Sequence, residues 1–185
     1  FAVRKHLLEY DDVMNKQRES VYTLRREILD GVVRIAEDET SDTRGYLLAT
    51  AEDIVYDKVD LYCGKDTDAD TWDVGALRRE LAELFALDEE EYAAVPFGTG
   101  RAAEIRDALW ARVEAKYVEK EQVVPAEILR RVERDLMLQI VDAQWKDHLY
   151  SLDHLKEGIG LRGYGQRDPL VEYKKERYAL FAAMK

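Results

Sequence analysis

The sequence predicts an all-α chain, and two observations carry that expectation. Residues 1–30 and 126–157 contain neither glycine nor proline, and both stretches repeat apolar residues at helical spacing. No segment shows the clean apolar–polar alternation of a half-buried strand. The expected architecture is one long helix, an antiparallel pair of long helices at the C-terminal end, and shorter helices between them.

The first helix carries Val3, Leu7, Tyr10, Met14, Val21, Leu24 and Ile28, which step by four and three. Gln17 is the one lapse in that seven-residue alternation. An ordinary strand of a helical bundle has the same pattern. Gly31 ends the helix. The spacing next predicts helices over residues 43–61, 73–87 and 101–121, with a plain turn at residues 96–100. Pro125 then precedes the glycine-free run of residues 126–157, about 48 Å long at about 1.5 Å per residue. Its apolar side is written by Leu138, Val141, Trp145, Leu149, Leu152 and Leu155, with Ile159 beyond. Gly158, Gly160, Gly163 and Gly165 follow within eight residues, and each costs a helix about 1 kcal/mol relative to alanine. A loop is therefore expected over residues 158–168. Asp168 and Pro169 restart a helix as N-cap and first helical residue, with Leu170, Tyr173, Leu180, Phe181 and Met184 facing inward.

Composition narrows the function classes. At 185 residues and 21.5 kDa the chain can bury one or two modest cores. Phe1 at the start and an apparent helix still running at Lys185 lead to the expectation of a piece of a longer protein. No apolar run approaches the roughly 20 residues that span a bilayer, and no signal-peptide pattern opens the chain. The one cysteine, Cys63, rules out an internal disulfide and suits a reducing, cytosolic setting. Residues 37–91 carry net charge −13, so the rest of the chain, within a total of −11, carries +2. That balance argues against nucleic acid as a partner, which needs a basic face.

Sites of chemistry are sparse. Residues 158–163 satisfy G-x-G-x-x-G, but dinucleotide binding needs a strand before that motif and a helix start directly after it. A P-loop pattern is absent from the sequence. Asp66, Asp68 and Asp70 match the first ligand positions of a calcium loop, yet Thr71 replaces the turn glycine and Leu77 the closing glutamate. His148 and His154, six residues apart, share no helix face, and His6 is distant in sequence. No metal site and no catalytic site is expected in this chain. The remaining candidate is the tip between the last two helices, where Leu161, Arg162, Tyr164 and Arg167 stand among glycines. Tyrosine and arginine are residues that interfaces favour, although a plain connecting loop fits the same composition.

Residues 155–181, LKEGIGLRGYGQRDPLVEYKKERYALF, closely resemble the two-helix finger of the SecA family of preprotein-translocating motors, and residues 7–22, LLEYDDVMNKQRESVY, resemble that family's long scaffold helix. The resemblance implies a helical scaffold at residues 1–30, a helical wing inserted at 31–125, and scaffold again at 126–185, where the two-helix finger has its tip loop at 158–168. It implies that Tyr164, with Leu161, Arg162 and Arg167, contacts the preprotein and the SecYEG channel. It also implies an inter-domain role for Arg4 and a regulatory one for Trp145, beside the plainer readings of a surface arginine and a core tryptophan. Further implications are a parent ATPase whose ATP and magnesium sit in motor domains outside this segment, contact with the rest of that protein, and homodimerisation. Its expected place is cytoplasmic, peripheral on the bacterial inner membrane. A self-standing helical scaffold that only assembles partners is the alternative.

Overall fold

The computed structural model describes residues 2–36, 39–64, 68–99, 101–162 and 169–184, and for residues 2–13, 156–162, 169, 170, 172 and 174 it describes the backbone alone. Chain order is α1 (Ala2–Asp30), β1 (Val32–Ala36), β2 (Glu39–Asp42), α2 (Thr43–Tyr62), α3 (Val74–Phe85), α4 (Glu89–Tyr92), α5 (Ala102–Val123), α6 (Ala126–Arg162) and α7 (Pro169–Met184). Short 3-10 turns occur at Ala69–Thr71 and Phe97–Thr99. The all-α expectation holds, with one addition: β1 and β2 pair as a two-stranded ribbon. Only Val33 of that ribbon is buried, so its sequence has no alternating pattern to reveal it.

The residues fall into two compact units, Phe1–Arg34 with Val132–Lys185, and Ile35–Arg131. In the second unit α2 packs on α3 and α5. Its core joins Val55 and Val59 of α2, Leu77 and Leu81 of α3, and Ile105, Leu109 and Val113 of α5, with Leu87, Tyr92 and Val95 from the connecting segment. Aspartates of the acidic stretch start α2, α3 and α4. Asp42 accepts from the Gly45 N–H at 2.8 Å and Asp73 from the Ala76 N–H at 2.9 Å, while Asp88 and Glu91 close a reciprocal capping box. A side-chain oxygen there satisfies a backbone donor that the first helical turn leaves open.

In the first unit α1 closes at Gly31, whose φ of +75° lies in the left-handed region that glycine enters without a Cβ penalty. The α1 core face carries Gln17, Val21 and Ile28, all buried. Met137, Trp145, His148 and Leu152 are buried on α6, and Tyr173 and Arg177 on α7. Arg25 of α1 and Asp142 of α6 form a two-pronged ion pair at 2.8 and 3.2 Å. α6 is longer than the glycine pattern predicts. It continues through Gly158 and Gly160 to Arg162, where Leu155, Lys156, Glu157 and Leu161 are good helix formers that offset two isolated glycines. Among the described residues no helix is long and apolar enough to cross a membrane.

Candidate functional site

Expected contact residues distribute unevenly over the described structure. Leu161 and Arg162 lie in the last turn of α6 and Arg4 near the start of α1, but their side chains are outside the described part. Tyr164 and Arg167 fall outside the described residues altogether. Gly158 and Gly160 sit within α6, where the backbone N–H groups belong to a helix interior rather than to a phosphate-binding turn.

Trp145 is buried, and it opens onto a cluster that links three helices of the first unit. Its ring lies 5.5 Å from that of His148, and the His148 ring lies 5.5 Å from that of Phe181 on α7. The residues at 145, 148 and 152 share one α6 face, as three- and four-residue steps require. Opposite them on α1 is Gln17, the lapse in the apolar alternation. Its Oε1 accepts from Arg177 Nε at 3.2 Å and stands 3.1 Å from His148 Nε2. Its Nε2 donates to the Arg177 carbonyl at 3.5 Å. Arg177 is fully buried, with its guanidinium over the Tyr173 ring at 5.5 Å from the centroid. Burial, and then the Arg177 cation, push the His148 pKa below the ordinary imidazole value. Sequence reasoning missed Gln17 and Arg177 as partners. The available signal was a single polar residue at a core position of an otherwise apolar seam.

A second polar cluster lies in the other unit. The Glu121 carboxylate on α5 accepts from Arg44 of α2 at 2.9 and 3.0 Å and from Arg130 at the start of α6 at 2.7 Å. Both guanidiniums lie 5.5 Å from the centroid of the Tyr117 ring. Hydrogen bonding from Arg44 holds the Glu121 carboxyl below the usual range. Elsewhere in this unit burial raises the Cys63 thiol pKa, which disfavours the reactive thiolate. Burial also pushes Tyr92 up to about 12, and its hydroxyl donates to the Arg78 carbonyl at 2.8 Å. Asp68 and Asp70 are exposed around a 3-10 turn, and Asp66 is outside the described residues. Among the described residues no group of three or more histidine, cysteine or acidic side chains is arranged to hold a metal. What the described geometry offers is helix-to-helix hydrogen bonding and packing within each unit.

Comparison with known proteins identifies the setting. The profile of the family described as SecA Wing and Scaffold domain matches residues 1–185. The protein translocase subunit SecA of Solibacter usitatus is 45% identical over 186 residues, covering 100% of this chain and 18% of its own length. Those of Acidobacterium capsulatum and Koribacter versatilis are 42% and 40% identical, again over 100% of this chain and 18% of theirs. The chain thus spans about a fifth of the length of these curated relatives. A match over every residue, with helices where the scaffold resemblance requires them, leads to one conclusion: the chain belongs to the SecA Wing and Scaffold domain family.

Proposed function

We propose that this segment is the mechanical and regulatory part of a protein-translocating ATPase, coupling ATP hydrolysis in motor domains outside it to preprotein movement through the SecYEG channel. The observation that carries the reading is the family match over the whole chain, on a structure of long helices tied together by buried and charged side chains. ATP and magnesium belong to those other domains. The partners are the channel, the unfolded preprotein, the rest of the same polypeptide and a second copy of it. The setting is the cytoplasmic face of the bacterial inner membrane.

In this reading the stretch between α6 and α7 presents Tyr164 to the preprotein, with Leu161, Arg162 and Arg167 beside it. A pusher that acts on unrelated sequences needs a surface that grips any chain. An aromatic ring provides it through apolar area with a polar end. Burying such a side chain is worth about 1.5–3 kcal/mol, enough for a transient grip and weak enough for release. In the full-length protein Tyr164→Ala is expected to cut translocation strongly while leaving substrate-free ATP hydrolysis near normal. Tyr164→Phe and Tyr164→Trp should keep much of the activity. The assay is protease-protected preprotein in vesicles that contain the channel, run beside basal ATPase. Normal translocation by a folded Tyr164→Ala variant would refute the contact, and loss of both activities would assign the tip a structural role.

A further inference from the structure

We propose that Gln17, His148 and Arg177 form an acid-sensitive latch that positions α6 and α7 in one register against α1. The argument begins with hydrogen-bond logic. A guanidinium only donates, so the Gln17 atom 3.2 Å from Arg177 Nε must be the carbonyl oxygen. That fixes the amide, and the same oxygen can only accept from His148 Nε2 at 3.1 Å. His148 therefore carries its proton on Nε2, and the Gln17 amide nitrogen is left to donate to the Arg177 carbonyl. One carboxamide on α1 thus serves a side chain of α6 and both a side chain and a backbone carbonyl of α7. A slide of either helix by one turn, about 5.4 Å, breaks its share of these bonds. A lone polar residue in an apolar helical seam is a known way to specify register, and Gln17 interrupts such a seam between Met14 and Val21.

Acid sensitivity follows from what surrounds the imidazole. Among the described residues, the groups facing His148 are uncharged Gln17 from α1, Arg177 and Phe181 from α7, and Trp145 from α6 itself. The charged one is a cation. Protonating His148 would place a second positive charge beside it in a buried site, where charge is poorly solvated. The separated helices would leave His148 in water, with an ordinary value of about 6.5. As pH falls below that value the separated state takes up the proton first, so the packed state loses stability until its own lower value is passed. The latch is therefore closed above about pH 6.5 and weakens below it. It stands independently of the translocation reading, because its readouts are one ring and the helices around it.

The test is a proton NMR titration of the histidine rings in the 185-residue chain, which has three: His6, His148 and His154. His148→Gln identifies the signal by its loss. The expected result is that His148 titrates below the ordinary value and that Arg177→Met moves it upward. Gln17→Glu, close to isosteric, supplies an anion in place of the amide and should move it upward; it keeps the acceptor toward His148 and Arg177 Nε and gives up only the donor to the Arg177 carbonyl. Amide-exchange protection across residues 145–152 should fall between pH 7 and pH 5 in the parent and hold in His148→Gln. An ordinary or raised His148 titration in the parent would overturn the proposal. So would a His148 signal indifferent to Gln17→Glu, or protection with the same pH dependence in parent and His148→Gln.

Discussion

Replacing Glu121 with glutamine tests whether charge, rather than shape, binds the start of α6 to α5 and α2. The side chains keep their size, but the substituted amide offers one acceptor oxygen where two guanidiniums approach, and turns an N–H group toward the other. Glu121 and Arg130 are 20% and 21% exposed, whereas Arg44 is 37% exposed. An open ion pair contributes about 0.2–1 kcal/mol, and a shielded charge-assisted hydrogen bond about 1.5–3 kcal/mol. With one shielded and one open partner, the expected loss at pH 7 is about 1–2 kcal/mol. Its pH dependence has a definite sign. The folded-state carboxyl is held below its unfolded value of about 4.3, so its contribution is complete above that value and is lost as pH falls through the folded one. The gap between parent and Glu121→Gln should therefore be widest at pH 7 and close progressively below about pH 4. Urea unfolding of both chains, followed by tryptophan fluorescence at several pH values, measures it, and other carboxylates cancel in the difference. An equal gap at pH 7 and pH 3, or none at pH 7, would show that the carboxylate charge does not hold these helices.

Other expectations concern packing, surface charge and regulation. Leu109→Ala empties a fully buried position on α5 and should cost about 2–5 kcal/mol in urea unfolding, whereas exposed Leu61→Ala should stay within about 0.5 kcal/mol. Asp142→Asn removes the exposed pair with Arg25 and should lower the urea midpoint only slightly, an effect that 1 M salt erases. Trp145→Ala in the full-length protein should raise basal ATP hydrolysis if this face of α6 restrains the motor. Trp145→Phe, which keeps a ring against His148, should raise it less, and an unchanged rate in a folded Trp145→Ala variant would leave Trp145 a packing role alone.

Helices were legible in the sequence wherever one side of the segment is apolar, because a period of 3.6 can be read without knowing the partner. Their ends were less so. α3 stops at Phe85 because Ala86 takes a φ of 54°, a left-handed cap that glycine would have announced and alanine does not. The caps at Asp42, Asp73 and Asp88 were in plain view but merged into a stretch that was read for its net charge alone. Only the spacing of Asp88 and Glu91 carries a capping-box signature. β1 and β2 escaped because a ribbon with one buried residue has no period to detect.

The polar cluster of the first unit shows a different limit. Gln17 could be recognised as a break in a seam, but its meaning depended on Arg177, a residue 160 positions away. On α7 that arginine sits between Tyr173 and Phe181 at four-residue steps, the position of a core residue, while its charge speaks for solvent. Residue type and position disagree there, and composition cannot decide between them. A buried guanidinium becomes tolerable when hydrogen-bond acceptors are supplied in space, and here one of them comes from α1. Where a helical seam places a charged residue on its apolar side, a polar lapse on another helix is thus the partner to seek. In this chain that rule pairs Gln17 with Arg177.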